Sequence, residues 1–498
     1  MPNLAPGDTI DVEYKISQTG ANLFADYFGD HYYFGDKNST VLARYTLTVP
    51  ARKRYHFERL RGAPAPEVTH RGEKITYAYR MENLPAIEEE AYMPALAEIL
   101  PAVQVSTFAT WNEVGRWYNG LIKDVFRSSP EVEVLAAELQ AGAPDDLAKL
   151  RGVYDFTVKR IRYVGLEFGI GGYRPHSPKQ ALEAHYGDCK DKATLMNTLY
   201  RLMGFKAYPV LLRTADLGEL DYELPILGLF NHMISYVLLP DGRAFFLDGT
   251  AEYHAFRELP PDDQGLDALV IFEDRAEFKR TPLLSAEDNH LRTRTTFVLQ
   301  ANGDAQAHRA VEYGAADAPF QRERFQNEAK RKAIIEEYWN GLYPGTTVFN
   351  EKFPDVSDYA EPVRTEYDAA VPRMFDPQAG RVHLDAVVHK ADLLNRYGKK
   401  ASRRWPLLVR INTKTTAELS YLLPEGYALA AVPLAKEFAS PFGTLKIDVL
   451  MGEGRVTIKQ ELEIPAQRIE PGDYPAFREF CLNVDDWENE PIILQKSP

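Results

Sequence analysis

Apolar and polar residues alternate along much of the first hundred positions. Ile10, Val12, Tyr14 and Ile16 follow a Pro-Gly-Asp turn, and the same pattern returns at Val41, Ala43, Tyr45, Leu47 and Val49 and at Ile75, Tyr77, Tyr79 and Met81. A period of two is that of half-buried strands. It predicts a β-rich unit over residues 1–108, the whole or the later part of a β-sandwich.

The period changes at 110. Thr110 and Glu113 fit a capping box, with Val114, Trp117, Leu121 and Val125 at helical spacing behind them. Asp145 is placed to cap a second helix that carries Leu147, Leu150, Val153 and Tyr154 on one face. A short strand, Ile161 to Val164, leads into the glycine-rich "GIGGYRPHSP", where Ser177, Pro178 and Gln180 read as N-cap, N1 and N3 of a short helix. Strand patterns resume near 285. Asn302-Gly303 marks a tight hairpin, a long helix pattern spans roughly 318–342, hairpin-like runs fill 405–465, and a helix near 473–484 closes the chain. The fold class that follows is α+β: a mixed unit over 109–275 and a second β-rich unit with an inserted helix over 285–498.

Composition narrows the classes. The 498 residues are 45% hydrophobic and 26% charged, an ordinary globular mix, and the net charge of −14 gives no basic footprint for nucleic acid. The one dense basic run, Lys330 to Lys332, sits among glutamates as a solvated helix face would. No apolar run approaches the ~18 residues that span a bilayer, and the first residues carry no signal-peptide core. Two cysteines make no disulfide framework and no CxxC pair.

One of those two cysteines lies in "HYGDCKDKATL", residues 185–195. Asp188 reads as N-cap, Asp191 as N3, and Gly204 as the C′ residue of a helix with Ala193, Met196, Leu199 and Met203 on its apolar face. Cys189 then opens the helix, where free N–H groups and the positive dipole end favour a thiolate. The same N–H groups suit an oxyanion. Cys481 lies instead on an apolar face with Phe477, Phe480 and Val484 and reads as core. A nucleophilic thiol needs a base, commonly histidine, and a group that orients it. "FNHMISYVLLPDGRAFFLDGT", residues 230–250, supplies both. A three-residue Pro-Asp-Gly loop with Gly242 in the left-handed region pairs Leu239 with Arg243 and sets Ile234 opposite Asp248. His232 and Asp248 then share a face as diagonal neighbours. A metal site from Cys189, His176, His185 and His232 is a further option, without ligand-spacing signals.

"YGDCKDKATL", "NHMISYV" and "FFLDGT", in that order, resemble the bacterial transglutaminase-like family, whose fold and triad chemistry are similar to those of papain-type cysteine proteases. The resemblance runs from about Tyr154 to Tyr253. It implies Cys189 as nucleophile, His232 as base, Asp248 as orienting acid and Tyr163 as an aromatic that helps bind the oxyanion, with no metal or organic cofactor and a protein or peptide as substrate. The flanks resemble the β-rich domains found around such cores in bacterial surface or periplasmic proteins. From this follow a papain-like transglutaminase core between β-sandwich-like domains, a chain trimmed from a longer exported parent, and a cysteine amide hydrolase or acyltransferase. A binding scaffold that has lost turnover is the rival from another class. Cross-linking members carry Gln before the cysteine and Trp after it. Here Asp188 and Lys190 stand there, and a charged Lys190 beside the thiol is expected to admit water and favour hydrolysis.

Overall fold

Thr40–Pro50 and Lys74–Leu84 pair antiparallel along their length, Tyr45 against Tyr79 and Leu47 against Tyr77, and Glu67–Arg71 adds a third strand. A second three-stranded sheet has Ala102–Ser106 between Gly29–Tyr33 and His56–Leu60. Phe34, Ala43, Tyr79 and Val103 form the core of this region. The computed structural model describes all residues except 1–3, 6, 18–26, 166–168, 220 and 498. The alternation at Ile10 to Ile16 forms no strand: residues 10–17 run outside any sheet, with Ile16 87% exposed. Alternation makes a strand only where another strand takes its N–H and C=O groups, and among the described residues none lies alongside.

The helices of the central region begin where their caps dictate. Trp111–Ile122 starts on the Thr110–Glu113 capping box, and Asp146–Arg160 starts on Asp145, whose carboxylate accepts from the Ala148 N–H. Pro178–Ala184 starts on the Ser177–Gln180 box. Pro130–Ala141, which the pattern did not reveal, begins on Pro130 after Ser129. The five-stranded antiparallel sheet beside them runs Ala244–Leu247, His232–Leu238, Lys206–Leu212, Asp267–Ile271, Ala276–Arg280. Cys189–Leu202 lies against this sheet with other helices around it and is buried without a break from Cys189 to Tyr200. A helix enclosed on all sides is fixed by packing and not by its own propensity.

Beyond residue 285 an eight-stranded sheet has one parallel pair, His290–Leu299 beside Thr413–Leu422, at its middle. The predicted 318–342 helix is two helices, Ala318–Arg324 and Glu328–Leu342. Asn327 ends the continuity by capping the second, accepting from the Ala329 N–H. Tyr474–Glu488 packs into the same core. The regions are tied by buried charge. Arg322 donates to the carbonyls of Tyr253, Tyr359 and Glu361, and Glu90 accepts from the backbone of Arg404 and Trp405. No described helix is long and apolar enough to cross a membrane.

Candidate active site

The Cys189 helix starts under unusually full control. Asp188 accepts from the N–H groups of Lys190 (3.0 Å) and Asp191 (3.2 Å), and Asp191 reaches back to the Asp188 N–H (3.2 Å). Asp191 also accepts from the backbone N–H of His176 at 2.7 Å, which ties the glycine-rich loop to the helix start. The cap therefore consumes two of the amides expected to face an oxyanion. The Cys189 N–H has no acceptor among the described residues and is the one that remains.

Lys190 is not the solvated residue its charge suggests. Its side chain is buried and its Nζ lies 2.7 Å from Asp188 Oδ2. The ion pair stays on the helix start, so Lys190 puts no free charge beside the thiol. A buried, paired Lys190 gives water no charged path to the thiol.

His232 begins the strand that crosses beside this helix start. Ser235 pairs with Leu247 and Leu238 with Ala244, while the Leu239 N–H reaches the Arg243 carbonyl and Gly242 has φ 89°. This register carries Asp248 next to His232: Nε2 lies 3.4 Å from Asp248 Oδ1. Cys189 and His232 line the same cavity, and the thiol is among the groups that raise the imidazole pKa. Burial alone would lower the imidazole pKa. The Asp248 charge and hydrogen bond override it, the Cys189 contact adds to it, and the ring is held protonated well above its ordinary range. Burial would likewise raise the Asp248 pKa. The facing imidazolium and the Thr250 N–H and hydroxyl, which donate at 2.8 Å, hold it at about 2.

Tyr163 is not brought to this group. It is half-exposed on Arg162–Tyr163, which pairs in parallel with Tyr186–Gly187, and it does not line the cavity at Cys189. That cavity, about 80 Å3, is walled by Tyr118, Tyr173, Leu227, Phe230, His232 and Met233 among others. Tyr118 is a tyrosine that does line the cavity. It is fully buried, it donates to the Tyr173 carbonyl at 3.1 Å, and burial with the Cys189 and Asp188 charges raises its pKa.

Asp263 is a residue the sequence did not single out. It ends the Pro261–Asp263 turn, is buried, and sets Oδ2 3.7 Å from His232 Nε2. That oxygen has no hydrogen-bond partner of good geometry. Burial and the adjoining Asp248 charge push its pKa well above its ordinary value, which favours the protonated form beside Asp248. An acid whose pKa is raised by folding costs nothing below its ordinary value near ~4 and destabilises as pH rises past it. Asp263→Asn keeps the shape and loses that cost, so the melting temperature at pH 7 is expected to rise. A fall, measured by calorimetry, would show Asp263 to be ionised and needed as such.

The metal set suggested by sequence is not assembled. His176 pairs with Asp191, and His185 closes the preceding helix in the left-handed conformation (φ 55°) on the surface. Among the described residues, the one group of three or more that brings ligand atoms within 4.8 Å of one another is His232, Asp248 and Asp263. His232 and Asp248 in that group are ion-paired at 3.4 Å, so the proposed chemistry uses them as a hydrogen-bonding cluster.

Residues 133–259 match the transglutaminase-like superfamily, residues 1–88 a domain of unknown function, DUF3857, and residues 383–494 another, DUF3858. Among solved structures the chain is similar to a candidate protease from Parabacteroides distasonis, at 12% identity and a TM-score of 0.64, over 94% of this chain and 75% of that one. A candidate cysteine protease from Cytophaga hutchinsonii matches at 12% identity and a TM-score of 0.24, over 51% of this chain and 88% of that one. The periplasmic domain of TgpA from Pseudomonas aeruginosa matches at 13% and 0.20, over 43% and 72%. At such identities the likeness is one of fold, and the first structure carries it. No curated protein matches the chain. The fold, the helix-start cysteine and these matches agree: this chain carries a transglutaminase-like domain set between β-rich regions, DUF3857 before it and DUF3858 after it.

Proposed function

We propose that the protein is a cysteine-nucleophile amide hydrolase acting on peptide or isopeptide bonds, with Cys189 as nucleophile, His232 as acid and base, and Asp248 as the orienting carboxylate. The observation that carries this reading is the placing of Cys189, first residue of its helix, and His232 on one cavity, with His232 Nε2 3.4 Å from the buried Asp248 carboxylate. The catalytic unit spans 109–275, with β-rich units 1–108 and 285–498 on either side, and the protein works outside the cytoplasm.

The Cys189 sulfur attacks the amide carbonyl carbon while the imidazolium holds the proton. The tetrahedral oxyanion takes the Cys189 N–H. As the C–N bond breaks, His232 gives its proton to the leaving amine and an acyl-thioester remains. His232 then takes a proton from the incoming water, whose oxygen displaces the sulfur and releases the acid. Asp248 fixes the ring and compensates its charge throughout. The reaction needs no cofactor.

Hydrolysis is favoured over transfer by the size of the site and not by Lys190, whose charge is paired. A cavity of about 80 Å3 admits water beside an acyl group but has little room to hold an extended amine near the thioester. With an acyl-peptide amide library and methylamine at millimolar level, free acid is expected to exceed methylamide in the products resolved by mass spectrometry. Predominant methylamide would make the protein an acyltransferase.

A further inference from the structure

Far from Cys189, a cavity of about 260 Å3 lies between one face of the eight-stranded sheet and the helices Ala318–Arg324 and Glu328–Leu342. Neither the family models at 133–259 and 383–494 nor the proposed chemistry accounts for the residues that build most of it. Arg309 projects into it from the strand Ala305–Tyr313 and is only 4% exposed. Its Nη1 donates to Thr295 Oγ1, directly opposite on the next strand, at 2.9 Å. Its guanidinium carbon lies 5.7 Å from the Tyr338 ring and 6.0 Å from that of Trp339. Among the described residues it has no other hydrogen-bond acceptor and no carboxylate partner.

A guanidinium carries five N–H donors, and one is used. A buried cation without a counter-charge costs several kcal/mol unless an acceptor meets it. The site is therefore short of an anion. The sheet offers no acidic residue that faces Arg309. Arg324 and Asp317 stand at the exposed edge of the cavity, and their opposite charges leave the buried Arg309 in excess.

We infer that this cavity binds a small organic carboxylate, held by the free edge of the Arg309 guanidinium with its apolar body against Leu291, Val311, Phe325 and Ile335. The planar fork of arginine matches the two oxygens of a carboxylate. The apolar wall takes a hydrocarbon body that inorganic phosphate lacks, and Asp317 at the rim disfavours a dianion. The cavity is at or below the low end of the usual range for ligand sites, about 300–1,000 Å3, which limits the ligand's size. The inference is independent of the chemistry proposed for Cys189.

Titration calorimetry on the full chain tests it with benzoate, hexanoate, benzamide and inorganic phosphate. Benzoate or hexanoate is expected to bind, and benzamide, with the same ring and no charge, at least about 10-fold more weakly. Arg309→Met should weaken the carboxylate by about 10- to 100-fold and leave Cys189 alkylation at its original rate, which separates loss of the site from loss of the fold. Arg324→Gln, on an exposed position, should weaken it by roughly 2- to 5-fold through lost long-range attraction. Failure of both carboxylates to bind would overturn the inference. So would equal binding of benzamide, phosphate binding tighter than either carboxylate, or full affinity in Arg309→Met. Should that variant not fold, the benzoate–benzamide comparison and Arg324→Gln decide the matter on folded protein.

Discussion

Iodoacetamide at pH 7 is expected to modify Cys189 and to leave Cys481 untouched in the folded protein. Cys481 sits in the core on Tyr474–Glu488, where burial pushes its thiol up to about 12. At pH 7 such a group is ionised to about one part in 10^5, and the thiolate is the species that reacts. Cys189 is also largely covered, but it lines a cavity together with His232, whose pKa is raised well above its ordinary value. The alkylation rates are expected to differ by at least about 10^3-fold, and Cys189→Ala should remove both the labelling and the amide hydrolysis. Peptide mapping after partial labelling gives the ratio. Equal labelling of the two residues would exclude Cys189 as a nucleophile, and labelling without any hydrolysis would favour a binding role for the core.

Much of this site could be read from local rules. Asp188, Asp191 and Gly204 place the helix ends because caps and C′ glycines answer to groups within a few residues. Pro240-Asp241-Gly242 sets the register that brings Asp248 to His232, since loop length decides which residues face each other. Where a partner comes from elsewhere in the chain, the sequence is mute. Ile10 to Ile16 has the strand period and no partner strand among the described residues. Lys190 looks exposed because it is charged, and is buried because Asp188, two residues earlier, is an acid turned inward. On Trp111–Ile122 the apolar spacing suggested Val114, Trp117 and Leu121. The buried positions are Val114, Gly115, Tyr118 and Ile122, because the sheet and the Cys189 helix choose the face. Asp263 reaches His232 through a turn 31 residues downstream, and a Pro-Pro-Asp-Asp stretch reads as nothing more than a polar turn.

Asp248→Asn is expected to lower turnover by about 10^3- to 10^4-fold with little change in the fold, and His232→Ala to remove nearly all of it. The reason lies in what holds the imidazole. Burial pulls its pKa down, and Asp248 supplies the largest of the opposing effects. With an amide in place of the carboxylate the largest raising effect is gone, so the His232 pKa should fall and the imidazolium should be less available beside the thiol. The same pair links stability to pH in two windows. His232, raised in the folded state, stabilises fully below ~6.5, and this contribution is lost as pH rises through its higher folded pKa. Asp248, held at about 2, stabilises above its ordinary value near ~4, and this is lost as pH falls toward 2. In Asp248→Asn both dependences should flatten, since the variant removes one group and the cause of the other's shift. Imidazole NMR titration, melting temperature against pH and kcat/KM against pH read the three effects separately. An unshifted His232 titration in Asp248→Asn would mean that the 3.4 Å contact does not set the state of the ring. Asp263, 3.7 Å from the same nitrogen, would then be the acid that does.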